Sequence, residues 1–331
     1  MIATASSLLD ALRARGLVAA DAIDVSTGAT GAPAERPWYI ATLLGASGWF
    51  AGLFVLLFVG LLFEPNSAPK AAVCGAVLLA AAWGLFKADR DGTFVAQLAL
   101  ALSIAGQCLV VFAMTEHTHG LAAIAGAALV LQAALAVLMP NPLQRALSAL
   151  FACIAWALLL RCALFGEPGF WHDHQATSPE LAPALAAWLL AWLPVAATIA
   201  GLIRAEAAWM ARGWQPVLRP ILRGLIVGLA FATLASEPFE TFRLFGHAAP
   251  AQDWLALWPL LSALGALGGL AAAFALGSRA QLGACVVAML LHVSNFYYEL
   301  GASLLLKSLL MAAMGAAMLL AARWWGRGAR A

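Results

Sequence analysis

Residues 39–63 read YIATLLGASGWFAGLFVLLFVGLLF, twenty-five positions without a single charged side chain. At about 1.5 Å per helical residue, this stretch is long enough to cross the roughly 30 Å hydrocarbon core of a bilayer. A helix that is apolar on every side belongs in lipid or deep in a core, not on a wetted surface. The remainder of the 331-residue chain is of the same kind, 64% apolar and 10% charged. That composition excludes a water-soluble enzyme, a nucleic-acid-binding module, a disulfide-stapled secreted domain and a disordered protein.

Working outward, comparable runs broken by Pro, Gly or charge occur at 71–86, 94–114, 120–139, 143–165, 181–203, 217–236, 254–276, 280–298 and 302–325. The pattern predicts an all-α transmembrane bundle of ten spans filling residues 38–331. The second run is the shortest and the seventh the most polar, which leaves nine spans as the competing count. A strand barrel would need alternating ten-residue runs, and none is present. Charge tests the count, because short cytoplasmic loops collect Lys and Arg. With residue 1 inside, fourteen of the eighteen cations and seven of the sixteen acids fall on the inner face, giving +7 inside and −5 outside. Removing one span would reverse every later loop and erase that asymmetry, so both termini are expected in the cytoplasm.

Residues 1–37 carry Asp10, Arg13, Arg15, Asp21, Asp24, Glu35 and Arg36. A cleavable signal peptide has no such charge pattern, so the segment is expected to remain as a cytoplasmic amphipathic helix and linker. Leu8, Leu9 and Leu12 share one side of a helical wheel, Gly16 suits a C-cap, and 24–37 is linker. The helix lies against the bundle or the lipid surface, or serves as a docking site. Cys74, Cys108, Cys153, Cys162 and Cys285 all fall in apolar spans and form no C-x-x-C pair. They read as small buried hydrophobes, and no disulfide, zinc site or other cofactor is expected.

Between helices in lipid, cohesion comes largely from the close approach of small residues. Gly48 and Gly52 form a GxxxG, Gly224 and Gly228 form another, and Gly265, Gly268 and Gly269 lighten the eighth run. Trp38, Trp49, Trp171, Trp254, Trp258, Trp324 and Trp325 fall at or near span ends, as belt residues do. Ten spans could divide into two inverted halves, but the halves show no convincing self-similarity.

All six histidines fall toward the outer side. His117 and His119 form one H-x-H pair and His172 and His174 another. An i, i+2 pair chelates well only on extended backbone, so the bland reading is two hydrated loops. Metal binding by convergence of the pairs, and proton sensing, are the alternatives. The richer cluster is His292, Ser294, Asn295, Tyr297, Tyr298 and Glu299, followed by Lys307 and Ser308. Counting about 1.5 Å per residue from a turn near Gly301, His292 and Lys307 come to similar depth on neighbouring antiparallel helices. An ammonium there is costly in hydrocarbon and needs a partner. Glu299 is nearest in sequence, with Glu237 and Glu240 at the outer end of the seventh run as others. Gln97, Ser103, Gln107 and Gln132 could add hydrogen bonds inside the bundle. Two readings stay open, an outward-facing polar cavity for a proton, ion or small anion, and a hydrogen-bonded clamp on the last hairpin.

The stretch Ser294-Asn295-Phe296-Tyr297-Tyr298-Glu299-Leu300, followed by Leu304-Leu305-Leu306-Lys307-Ser308, resembles the carboxy-terminal pattern of the bacterial family grouped as domain of unknown function 4401. Residues 97–107, QLALALSIAGQ, look like that family's mid-chain motif, and an amphipathic amino terminus leading to Trp38 also fits. The resemblance covers most of the chain. It implies a polytopic bacterial inner-membrane protein and suggests as partner an anchored protein with a GDYXXLXY motif. It brings no activity with it.

Two functions are therefore expected to compete. One is a membrane scaffold or assembly partner that docks another membrane or periplasmic protein. The other is a proton- or ion-coupled small-solute transporter with an outward-facing cavity around His292 and Lys307. An enzyme is not expected, since no Walker loop, H-E-x-x-H, G-x-S-x-G or C-x-x-C-H is present.

Overall fold

The computed structural model describes residues 38–88, 92–115, 120–166, 181–231 and 258–299, with the short helical pieces 305–309, 312–313 and 315–316. The predicted amino-terminal amphipathic helix lies outside them. Among the described residues ten helices of six residues or more follow in order: α1 Trp38–Phe63, α2 Ala68–Ala88, α3 Thr93–Thr115, α4 Leu121–Leu138, α5 Pro142–Phe165, α6 Leu181–Arg204, α7 Glu206–Ala211, α8 Gln215–Phe231, α9 Trp258–Ala275 and α10 Arg279–Glu299. No strand occurs among the described residues. Six of these helices, α1 to α6, are long and apolar enough to cross a membrane. Each lies within a few residues of its predicted run. Described residues α8, α9 and α10 occupy the places of the seventh, eighth and ninth runs, and most of the tenth lies outside the description.

The second run is not short. Its helix reaches from Ala68 to Ala88 because both flanking lysines are accommodated: Pro69 and Lys70 sit in the first turn, and Lys87 folds back over the Trp83 ring at 4.7 Å. The four-to-five turn is fixed locally. Asn141 accepts from the Leu143 and Gln144 amides at 2.8 and 3.1 Å, Pro142 starts α5, and Met139 closes α4 by donating to the Leu135 carbonyl. The six-residue α7 was not anticipated. It ends at Gly213, whose φ of 73° admits the left-handed turn that aims α8 back into the bundle.

Helix α3 packs on both α1 and α2, which scarcely touch each other. A core of α2, α3 and α4 residues surrounds Leu78, Phe86, Leu100 and Leu135. A second core, from α5, α6, α8, α9 and α10, surrounds Trp192, Leu222, Ile226 and Ala266. Close approach is set by glycine where the sequence placed it. A methyl at Gly48 would stand 2.6 Å from the Phe94 carbonyl, one at Gly52 2.7 Å from Ala101, and one at Gly224 would meet the Ala146 carbonyl. These contacts also give direction: α1 runs parallel to α3 and α8 parallel to α5. Gly48 stands level with the first turn of α3, so α1 projects about 15 Å beyond it. Trp49 is therefore mid-helix in α1, not at its end, and its indole donates to Gln97 Oε1 at 3.0 Å.

The cysteines divide. Cys153, Cys162 and Cys285 are buried, as expected of small hydrophobes, while Cys74 is half-buried and Cys108 exposed.

Candidate functional site

Helix α10 carries the polar cluster, and periodicity decides which members turn inward. Cys285, Ala288, His292 and Phe296 recur at three and four residues and are all buried. His292 is 0% exposed, with Nε2 3.0 Å from the carbonyl oxygen of Ala230 on α8. A carbonyl only accepts, so Nε2 bears the proton and donates. The α9–α10 hairpin brings up a second polar group. A methyl at Gly269 would stand 3.3 Å from Cys285 Sγ, and seven residues further along each helix, two turns, are Ser262 and His292. Ser262 is 0% exposed, and its hydroxyl meets no hydrogen-bond partner among the described residues.

Among the described residues Lys307 meets an aromatic ring. Its Nζ lies 5.0 Å from the centroid of the Tyr297 ring, within cation–π range. Tyr297 is five residues past His292, about 140° around α10, so imidazole and ammonium face different surroundings. Ser308 is exposed and its hydroxyl donates to the Leu305 carbonyl at 2.8 Å, within its own turn. The side chains of Asn295, Tyr298 and Glu299, and all of Glu237 and Glu240, lie outside the described residues.

Gln107 belongs to a separate place. Gln132 of α4 donates to Gln107 Oε1 at 2.7 Å, and Gln107 Nε2 donates to Ser103 Oγ at 3.0 Å, all three buried. In an apolar interior an unanswered amide costs several kcal/mol, about 4–8 on a cyclohexane scale, so the relay itself accounts for these residue types. Sequence reasoning missed a second such pair, Gln144 Nε2 to Ser148 Oγ at 3.2 Å, both 0% exposed. Their i, i+4 spacing at the start of α5 was the available signal. It also missed Arg145, which donates to the Pro216 carbonyl of α8 at 2.6 Å.

A cavity of about 140 Å³ lies between α1 and α3, lined by Trp49, Leu53, Leu56, Ala101, Ile104 and Ala105. Its walls are apolar, and none of these lining residues belongs to α10. Among the described residues no three His, Cys, Asp or Glu side chains gather as a metal site; His117, His119, His172 and His174 lie outside them.

The family model described as Domain of unknown function (DUF4401) matches residues 37–243. The matched range includes α1 to α8 and the Gln97–Gln107 stretch. It ends before Ser294–Ser308, so the earlier helices carry the match and the Phe-Tyr-Tyr and Lys-Ser elements lie beyond it. No curated protein and no solved structure matches the chain.

Proposed function

The chain belongs to the DUF4401 family, a membrane protein by its apolar helices, and from that premise we propose that it is a non-catalytic scaffold or assembly partner in the bacterial inner membrane. The supporting observation is that two sets of its interior polar groups are engaged within the bundle: Gln132 with Gln107 and Ser103, and His292 with the Ala230 carbonyl. Groups committed in this way fix helix positions and leave recognition to the surfaces. The partner is an anchored membrane or periplasmic protein, of which the GDYXXLXY type is the candidate. Ten spans with both termini cytoplasmic would direct the acidic loops outward to meet it.

A proton- or ion-coupled transporter is the second reading, and it draws on Ser262 standing level with His292 in the α9–α10 hairpin. Lys307→Met separates the two in reconstituted vesicles. The scaffold reading expects recovery of the partner complex to fall, with no solute or proton flux by the wild-type protein. Flux by the wild type, lost in Lys307→Met while the complex stays intact, would overturn it.

A further inference from the structure

The elbow joining α6 to α8 gathers four exposed arginines: Arg204 at the end of α6, Arg212 after α7, and Arg219 and Arg223 one turn apart on α8. Glu206, 3.7 Å from Arg219, is the carboxylate described beside them. Arg204, Arg212 and Arg223 make no ion pair among the described residues. Depth follows from the glycine contact between α8 and α5. Gly224 meets Ala146, so Arg223 stands level with Arg145 in the first turn of α5, and Arg219 lies one turn further out. The start of α8 thus projects about 7 Å past the end of its neighbour. Two large apolar side chains are exposed in the same elbow, Trp214 at 57% and Met210 at 42%.

Guanidinium groups match phosphate oxygens in a fixed fork, and an exposed indole suits the boundary between headgroups and acyl chains. Both occur together here, at the level where the neighbouring span ends. We infer that this elbow docks the phosphate headgroups of anionic phospholipids of the bilayer, with Trp214 and Met210 entering the acyl boundary. Trp214 and Met210 favour lipid over an acidic protein, because a purely ionic partner leaves such side chains in water. The inference is independent of the scaffold reading, since any protein crossing the membrane with this elbow at its surface would bind in the same way.

The test uses the full chain in nanodiscs containing brominated phosphatidylglycerol or brominated phosphatidylcholine, read by the tryptophan quenching that disappears in Trp214→Phe. Quenching is expected to be stronger with the anionic lipid and to weaken with salt. In Arg219→Gln/Arg223→Gln the preference should fall about thirtyfold, roughly fivefold per arginine, while Arg219→Lys/Arg223→Lys keeps most of it. Equal quenching by the two wild-type samples would overturn the proposal even if the glutamine variant fails to fold. Displacement of the anionic lipid by inorganic phosphate at matched ionic strength would make the site one for a soluble anion and overturn it too. Binding of a poly-glutamate peptide without any lipid preference would assign the elbow to an acidic protein instead.

Discussion

Arg145 shows how much a single side chain can hold in this bundle. It donates to the Pro216 carbonyl at 2.6 Å and, at the long limit of 3.5 Å, to the Val137 carbonyl in the last turn of α4. Pro216 lies four residues before Pro220, whose ring nitrogen has no hydrogen to give, so α8 leaves that carbonyl unclaimed. Carbonyls in the last turn of a helix are unclaimed for the ordinary reason. Arg145→Met should strand both acceptors and cost about 1–3 kcal/mol, read as a lower Tm of the purified protein. Pro220→Ala restores the missing amide, so the loss should be smaller in that background; equal losses in the two backgrounds would show the residues to be uncoupled. In the sequence Arg145 was visible only as an inner-face cation. Pro220 was visible as well, but nothing in the chain said that α5 and α8 begin side by side.

At the scale of elements, glycine positions decide which helices touch. The paired glycines at 48 and 52, and at 224 and 228, were legible because each pair repeats along one helix, and each does face a neighbour. Gly75 and Gly106 were missed. They face each other across α2 and α3, a methyl on either standing 2.8 Å from the other's carbonyl. Here the small residues are divided between two helices, and no motif within one run reveals them. Gly224→Val should force α8 off the α5 backbone and cost at least about 1–3 kcal/mol. Gly84→Val should be tolerated, since nothing lies within 4 Å of a Cβ there. Thermal stability and monodispersity in detergent report both, and similar behaviour of the two variants would refute the contact as an organising one.

For the whole molecule, the helix order sends Lys87, Arg145, Arg204, Arg219, Arg223 and Arg279 to one end, and Glu64, Lys70 and Arg161 to the other. A reporter fused after residue 331 should therefore be active in the cytoplasm, and periplasmic activity would reverse the proposed sidedness. The sequence by itself determined that this is a helical membrane protein and where its first six apolar helices run. Apolar length and the requirement that each backbone satisfy its own hydrogen bonds are local properties. Only the tertiary structure decided which polar groups meet. His292 turns to Ala230, Lys307 to Tyr297, and Gln107 to Gln132, because helix rotation and interhelical register are set by packing between distant segments, and spacing along one segment does not encode them.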